Sequence, residues 1–207
     1  TLELNRQKGV LSITPNRGTA KNRQIFAGTY VMRRDLFIDM IKKAHNTSAM
    51  YSLMDWVNLM CNELDIRGVA HRGYFGSITD FKSYYDTSMS LIDLKTARSL
   101  FDPDWPIYTR TSDSCPTQYL EGADVKASVI SNGCRIEGTI DHSILSRGCI
   151  IKKGAVVKNC VILPDVVIGE DTVLENVVVD KHVRINHIKE VKGTPEHPGY
   201  VKRGDHL

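Results

Sequence analysis

Four consecutive stretches decide the fold: VKASVISNGCRIEGT (125–139), IDHSILSRGCIIKKGAV (140–156), VKNCVILPDVVIGEDTV (157–173) and LENVVVDKHVRI (174–185). Aligned on their first residues they are offset by 15, 17 and 17 positions. Equivalent slots carry like chemistry. One column reads Val129, Ile144, Val161, Val178, a second Ile130, Leu145, Ile162, Val179, and a third Ile136, Ile151, Ile168, Ile185. A fourth holds Ser128, Ser143, Cys160 and Val177. Within a turn, aliphatic residues return about every six positions, a spacing neither a helix nor an ordinary hairpin produces. Three short strands per turn, with the same slots inward in every turn, explain the columns. One turn cannot bury its own face, so the turns must stack, backbone to backbone at about 4.8 Å.

This pattern resembles the hexapeptide repeats of left-handed parallel β-helices. It also accounts for most of the cysteines. Cys134 and Cys149 share a slot, which reads as a buried stack of small apolar side chains rather than a redox pair. His142 shares its slot with Asn159 and Asn176, a polar corner rather than a catalytic position.

Working outward, the rhythm changes before Thr111. Leu2 to Leu4 and Val10 to Ile13 flank a polar NRQKG turn and predict a hairpin. IFAGTYVM (25–32) predicts a central strand. Asp35 is placed to cap a helix whose apolar face is Leu36, Phe37, Met40, Ile41 and Ala44. Ser52 and Asp55 resemble a capping box ahead of Leu53, Trp56, Val57 and Met60. A third helix from Asp80 carries Phe81, Tyr85, Ser88 or Met89, and Ile92. Helices and strands in alternation imply an α/β unit. Residues 93–110 read as a connector in which Pro103 and Pro106 stop a helix. The expected organisation is a partial α/β domain over 1–92, the connector, and a β-helix with its C-terminal tail over 111–207.

A net charge of +3 over 207 residues is too mild for a nucleic-acid stripe. Five cysteines without a C-x-x-C pair argue against a zinc site or a secreted disulfide scaffold. No apolar run has the length of a membrane span. The expectation is a cytoplasmic protein that engages neither nucleic acid nor membrane. The start at Thr1, directly in strand-like sequence, suggests a fragment of a longer protein.

GYFGSITDFKSYYDTSMSLI (73–92) resembles the GYWxDVGTxxxYxxANxxL segment of sugar-nucleotide adenylyltransferases. IFAGTYVM is similar to their ASMGIYVF strand, and VVVDKHVRI (177–185) to their IIDKNxxI coil. The tail GTPEHPGYVKRGDHL (193–207) resembles that of the bacterial glycogen-biosynthesis members. By this order of motifs, the chain is identified as a member of the glucose-1-phosphate adenylyltransferase family, specifically the C-terminal portion of a regulatory-type subunit. The family joins glucose 1-phosphate to ATP and releases pyrophosphate. The resemblance implies departures at the site. The metal-binding aspartate slot holds Ser77, and a neutral hydroxyl is a poor Mg²⁺ ligand. The sugar-side serine slot holds Phe26. A Glu-Lys pair that grips the sugar phosphate is replaced by Pro15 and Asn16. Gly28 and Tyr30 match and are substrate-binding remnants, with Phe26 and Asn16 in altered slots.

The resemblance therefore implies a scaffold without catalytic residues, binding no cofactor itself, with Mg²⁺ and ATP used by a catalytic partner subunit in a hetero-oligomer or, failing that, a homo-oligomer. It further implies an effector site for a phosphorylated metabolite at Lys181, Arg184 and Lys202, with Arg33 and Arg34 as further cations of unassigned place. Three alternatives stand beside this reading: an active adenylyltransferase with a divergent site, a hexapeptide acyltransferase, and a module that only assembles oligomers.

Overall fold

The structure is a computed structural model that describes residues 1–15, 24–46 and 52–207. The residues group into two compact units, Thr1–Arg72 and Gly73–Leu207. The helix at 81–90, expected in the first domain, belongs to the second unit.

In the first unit, strands β1 (Leu2–Leu4) and β2 (Val10–Ile13) form the expected antiparallel hairpin. Helix α1 spans Arg34–Asn46. Asp35 lies inside its first turn rather than at the cap, bound by the Arg33 guanidinium. Of the expected apolar face only Met40 is buried, while Ile41 is 50% exposed. Helix α2 spans Leu53–Met60 and starts as expected: the Ser52 hydroxyl accepts from the Asp55 N–H at 3.2 Å. Trp56, Val57 and Met60 pack with Val10, Ile13 and Met40 into one small core. Asn58 fixes the helix to the hairpin, accepting from the Ile13 N–H at 2.7 Å and donating to its carbonyl at 2.9 Å.

IFAGTYVM is not a strand. Only Gln24, just before it, bridges to Leu2. The Phe26 and Tyr30 rings meet edge to face with centroids 4.9 Å apart. Four residues of extended chain would separate them by about 13 Å, so the run folds back on itself. Gly28, at φ +78°, permits the reversal, and a side chain there would touch nothing. Its glycine serves the turn, not a close approach. No strand lies between α2 and the next helix among the described residues; Arg67 makes a single bridge to Gly9.

The second unit opens with two capped helices. Helix α3 (Phe81–Ser90) starts from Asp80, whose carboxylate accepts from the Ser83 N–H while Ser83 Oγ accepts from the Asp80 N–H. Helix α4 (Leu94–Leu100) lies in the expected connector and is capped by Asp93.

The rest is a parallel β-helix of three five-stranded sheets. The first contains Gln118–Tyr119, Arg135–Ile136, Ile150–Ile151, Val167–Ile168 and Arg184–Ile185. The second contains Asp124–Lys126, Thr139–Asp141, Val156–Lys158, Val173–Glu175 and Glu190–Lys192. The third contains Val129–Ile130, Ile144–Leu145, Val161–Ile162, Val177–Val179 and Gly199–Val201. The pairing register reproduces the sequence columns: Ile136 with Ile151, Ile151 with Ile168, Ile168 with Ile185, and Val129 with Ile144, Ile144 with Val161, Val161 with Val178. The isoleucine ladder at 136, 151, 168 and 185 is fully buried. The corner slot of His142, Asn159 and Asn176 has φ of 45°, 50° and 53°. Asn tolerates this left-handed conformation better than most residues do, and His142 Nδ1 lies 3.0 Å from Asn159 Oδ1. The slot is structural.

The sequence showed four turns and the structure has a fifth layer. Part of the tail, Gly199–Val201, pairs with Val177–Val179. On the outer face of the second sheet, Lys126, Asp141, Lys158, Glu175 and Lys192 stand in one register column, so charge sign alternates from coil to coil.

Cys134, Cys149 and Cys160 are buried in the coil core and Cys115 is exposed. Burial pushes the Cys160 thiol up to about 12, and the hydrogen bond it shares with Cys134, followed by burial, raises Cys149. Alkylation with iodoacetamide at pH 8 is expected to label Cys115 rapidly and the three core thiols only after denaturation. Equal rates in the native state, read by peptide mass spectrometry, would contradict this packing.

Candidate functional site

The expected site residues divide between the two units. Phe26, Gly28 and Tyr30 lie in the first. Phe26 and Tyr30 are half-buried against its small core, and burial raises the Tyr30 hydroxyl above its usual range. They act there as packing groups. Pro15 is exposed, and Asn16 lies outside the described residues. The open groove between α1 and α2 is lined by Met40, Ile41, Ala44, His45, Leu53 and Trp56. With Ser52 at its edge, that lining offers apolar surface, one hydroxyl and one imidazole, not the cation set a sugar phosphate needs.

Ser77 lies in the second unit, exposed, in the loop ahead of α3. The carboxylates that follow it, at the start of α3 and along it, have partners of their own. Asp80 accepts from the Ser83 N–H at 2.7 Å, and this bond and the Ser83 hydroxyl hold its carboxyl below the usual range. Asp86 pairs with Lys82 one helical turn away. Among the described residues, no three His, Cys, Asp or Glu side chains stand together as a metal-binding group. A lone exposed hydroxyl is a poor Mg²⁺ ligand, and Asp80, the carboxylate nearest to it along the chain, is held by the helix cap.

The basic residues form a better-defined arrangement. Val179 pairs with Val201, so the chain continuing from each strand stays in step around the next corner. The Asp180 N–H donates to the Val201 carbonyl at 3.0 Å and the Gly204 N–H to the Lys181 carbonyl at 3.1 Å. Lys181 is thus brought beside Lys202 and Arg203 on the adjacent coil. All three side chains are exposed, and none forms a direct ion pair among the described residues. Asp180 sits among them. Burial raises its carboxyl, but hydrogen bonds from the Lys181 N–H and the Tyr200 hydroxyl, with the charges of Lys181 and Arg203, outweigh burial and hold it below the usual range. Arg184, expected with Lys181, stands instead on the first sheet, between Val167 and His206 in register. The corner turns between them.

The sequence missed Arg203, Asp180 and Tyr200. Their signal was the register of the fifth layer, hidden by the loop 193–198. Three exposed cations on two coils thus stand with the Asp180 carboxylate, and Asp205 is close enough for its charge to act on Tyr200.

No helix among the described residues is long and apolar enough to cross a membrane. Residues 116–197 match the family model described as GlmU-like, C-terminal hexapeptide. The chain is 39% identical over 175 residues to the glycogen biosynthesis protein GlgD of Bacillus subtilis, a match covering 84% of this chain and 51% of that protein. It is equally similar to GlgD of Geobacillus stearothermophilus. It is 37% identical over 86 residues to the glucose-1-phosphate adenylyltransferase of Streptomyces coelicolor, covering 42% of this chain and 22% of the relative. The chain spans about half the length of the GlgD relatives it matches. Taken with the stacked coils, these matches make the chain a member of the family that unites the GlgD glycogen biosynthesis proteins with the glucose-1-phosphate adenylyltransferases, sharing their C-terminal hexapeptide region.

Proposed function

We propose that this chain is the C-terminal portion of a regulatory, non-catalytic subunit of a cytoplasmic glucose-1-phosphate adenylyltransferase acting in glycogen synthesis. The observation that carries the reading is Ser77: a hydroxyl at the position of a metal carboxylate, with Asp80 spent on a helix cap and Asp86 on Lys82. In this reading a catalytic partner subunit holds ATP and Mg²⁺, and this subunit changes how the partner responds to a phosphorylated metabolite. The Lys181–Lys202–Arg203 corner is the anion site. Arg184, on the next sheet, is a secondary contact at most.

The test uses the full-length protein and its catalytic paralogue, co-purified and separate. With ATP, Mg²⁺ and glucose 1-phosphate the protein alone is expected to give no turnover, and its addition to the paralogue to shift the response to a sugar phosphate. Lys181→Ala should weaken that shift by about tenfold, the scale of one lost charge-assisted phosphate contact, while co-purification persists. Robust turnover by the isolated protein, abolished by Ser77→Ala, would defeat the reading.

A further inference from the structure

Within the unit Gly73–Leu207, contacts run without a break from the basic corner to the loop that holds Ser77. Asp180 is the first link. Its Oδ1 accepts from the Lys181 N–H at 2.6 Å and its Oδ2 accepts from the Tyr200 hydroxyl at 2.8 Å. The Tyr200 ring meets Phe81 edge to face, with centroids 5.5 Å apart and planes at 71°. Phe81 is the first residue of α3. The loop ahead of it is fastened along the helix. Ser83 Oγ accepts from the Thr79 N–H at 2.9 Å and the Asp80 N–H at 3.0 Å. Tyr74 Oη lies 3.0 Å from Ser90 Oγ. A side chain at Gly76 would come within 2.8 Å of Thr87 Cγ2, so the backbone there lies close against α3. Ser77 sits between these fastenings.

We propose that Tyr200 is a positioning residue through which an anion held at the Lys181–Lys202–Arg203 corner orders the Gly73–Asp80 loop. The inference rests on the anion-site reading above and names its consequence for the rest of the unit. A phosphate ester draws the charges of Lys181 and Arg203 onto itself and away from Asp180. The carboxylate, less neutralised, becomes the stronger acceptor, and the bond from the Tyr200 hydroxyl tightens. The tyrosine ring is then held more firmly against Phe81. Helix first turns open easily, because their N–H groups lack intrahelical partners. Holding Phe81 suppresses that opening, and the loop fastened to Ser83 follows. Regulation would reach the Ser77 loop as a change in order, through one ring contact, without displacement of the coils.

Hydrogen–deuterium exchange on the full chain tests this, with glucose 1,6-bisphosphate as the probe. Binding is measured separately by calorimetry, and slow exchange in the coil amides identifies folded variants. In the wild type, saturating probe is expected to slow exchange across residues 77–84 by about threefold or more. Phe81→Leu should bind the probe within about twofold of wild type and lose the slowing. Tyr200→Phe, which keeps the ring and loses the bond to Asp180, should lose it too. Equal slowing in wild type and both variants overturns the relay and leaves the anion site standing. Absence of probe binding by the wild type overturns both.

Discussion

Ile151→Ala is expected to lower the unfolding free energy of the coil unit by about 2–5 kcal/mol, the range for removing three buried carbons from a core that cannot close over the gap. Ile151 is fully buried, with Ile136 on one side and Ile168 on the other. The neighbouring coils are held at fixed spacing by backbone bonds, from the Glu137 N–H to the Ile151 carbonyl at 2.8 Å and from the Lys152 N–H to the Ile168 carbonyl at 3.0 Å. Collapse would break those bonds, so the cavity persists. Ile151→Val should cost about 0.5–1.5 kcal/mol. Urea unfolding followed by circular dichroism gives both values. If Ile151→Ala costs no more than Ile151→Val, the ladder is not close-packed as described.

Tyr85 carries the second large effect. It is 5% exposed, packs with Val161 and Val178 on the third sheet, and donates its hydroxyl to the Asn159 carbonyl at 2.7 Å. Tyr85→Ala removes the ring and the bond together and is expected to cost about 3–5 kcal/mol. It should also release α3 to proteolysis within 81–92. Tyr85→Phe removes the bond alone, at about 1 kcal/mol. Burial, with smaller contributions from Cys160 and Asp86, pushes the Tyr85 hydroxyl from 10.0 up to about 12. A raised value means that the folded state keeps the proton while the unfolded chain gives it up. The contribution is intact below pH 10 and is lost as pH rises toward 12. Tyr85→Phe should remove that part of the alkaline destabilisation. An unchanged alkaline limb in urea titrations would assign the effect elsewhere.

The coil ladders were legible because an inward slot recurs at a fixed interval, and size and polarity at that slot have no freedom to vary. Ile136, Ile151, Ile168 and Ile185 show this most plainly. The fifth layer was not legible because its interval breaks. Leu174 pairs with Val191, yet Val178 pairs with Tyr200, five residues further along than the period demands. The loop 193–198 absorbs the difference. IFAGTYVM misled for another reason: a short apolar run fits a strand or a folded-back segment equally well, and Gly28 decides for the latter. At the candidate site, Lys181 and Lys202 were visible as isolated charges. Their company of Arg203, Asp180 and Tyr200 depends on the broken register, and Arg184 lies on the next sheet, past the corner. Asp35 and Ser52 illustrate the same limit on helix starts. Both residue types favour the cap, but Asp35 is instead held by Arg33 one position inside the first turn.

The column of Lys126, Asp141, Lys158, Glu175 and Lys192 has a parity. Lys126 pairs first with Asp124 and Lys192 with Glu190 along their own strands, and each also feels, more weakly, the carboxylate stacked next to it in the column, Asp141 and Glu175. Opposite charges face each other only while odd and even layers keep their order, since like charges directly opposed on neighbouring strands repel. Duplicating or deleting a single internal layer sets two equal signs side by side, whereas a two-layer change restores the sequence of signs. The solenoid of this chain therefore accommodates growth or shortening in pairs more readily than in single steps, and a strand misthreaded by one layer during winding meets repulsion along its outer edge.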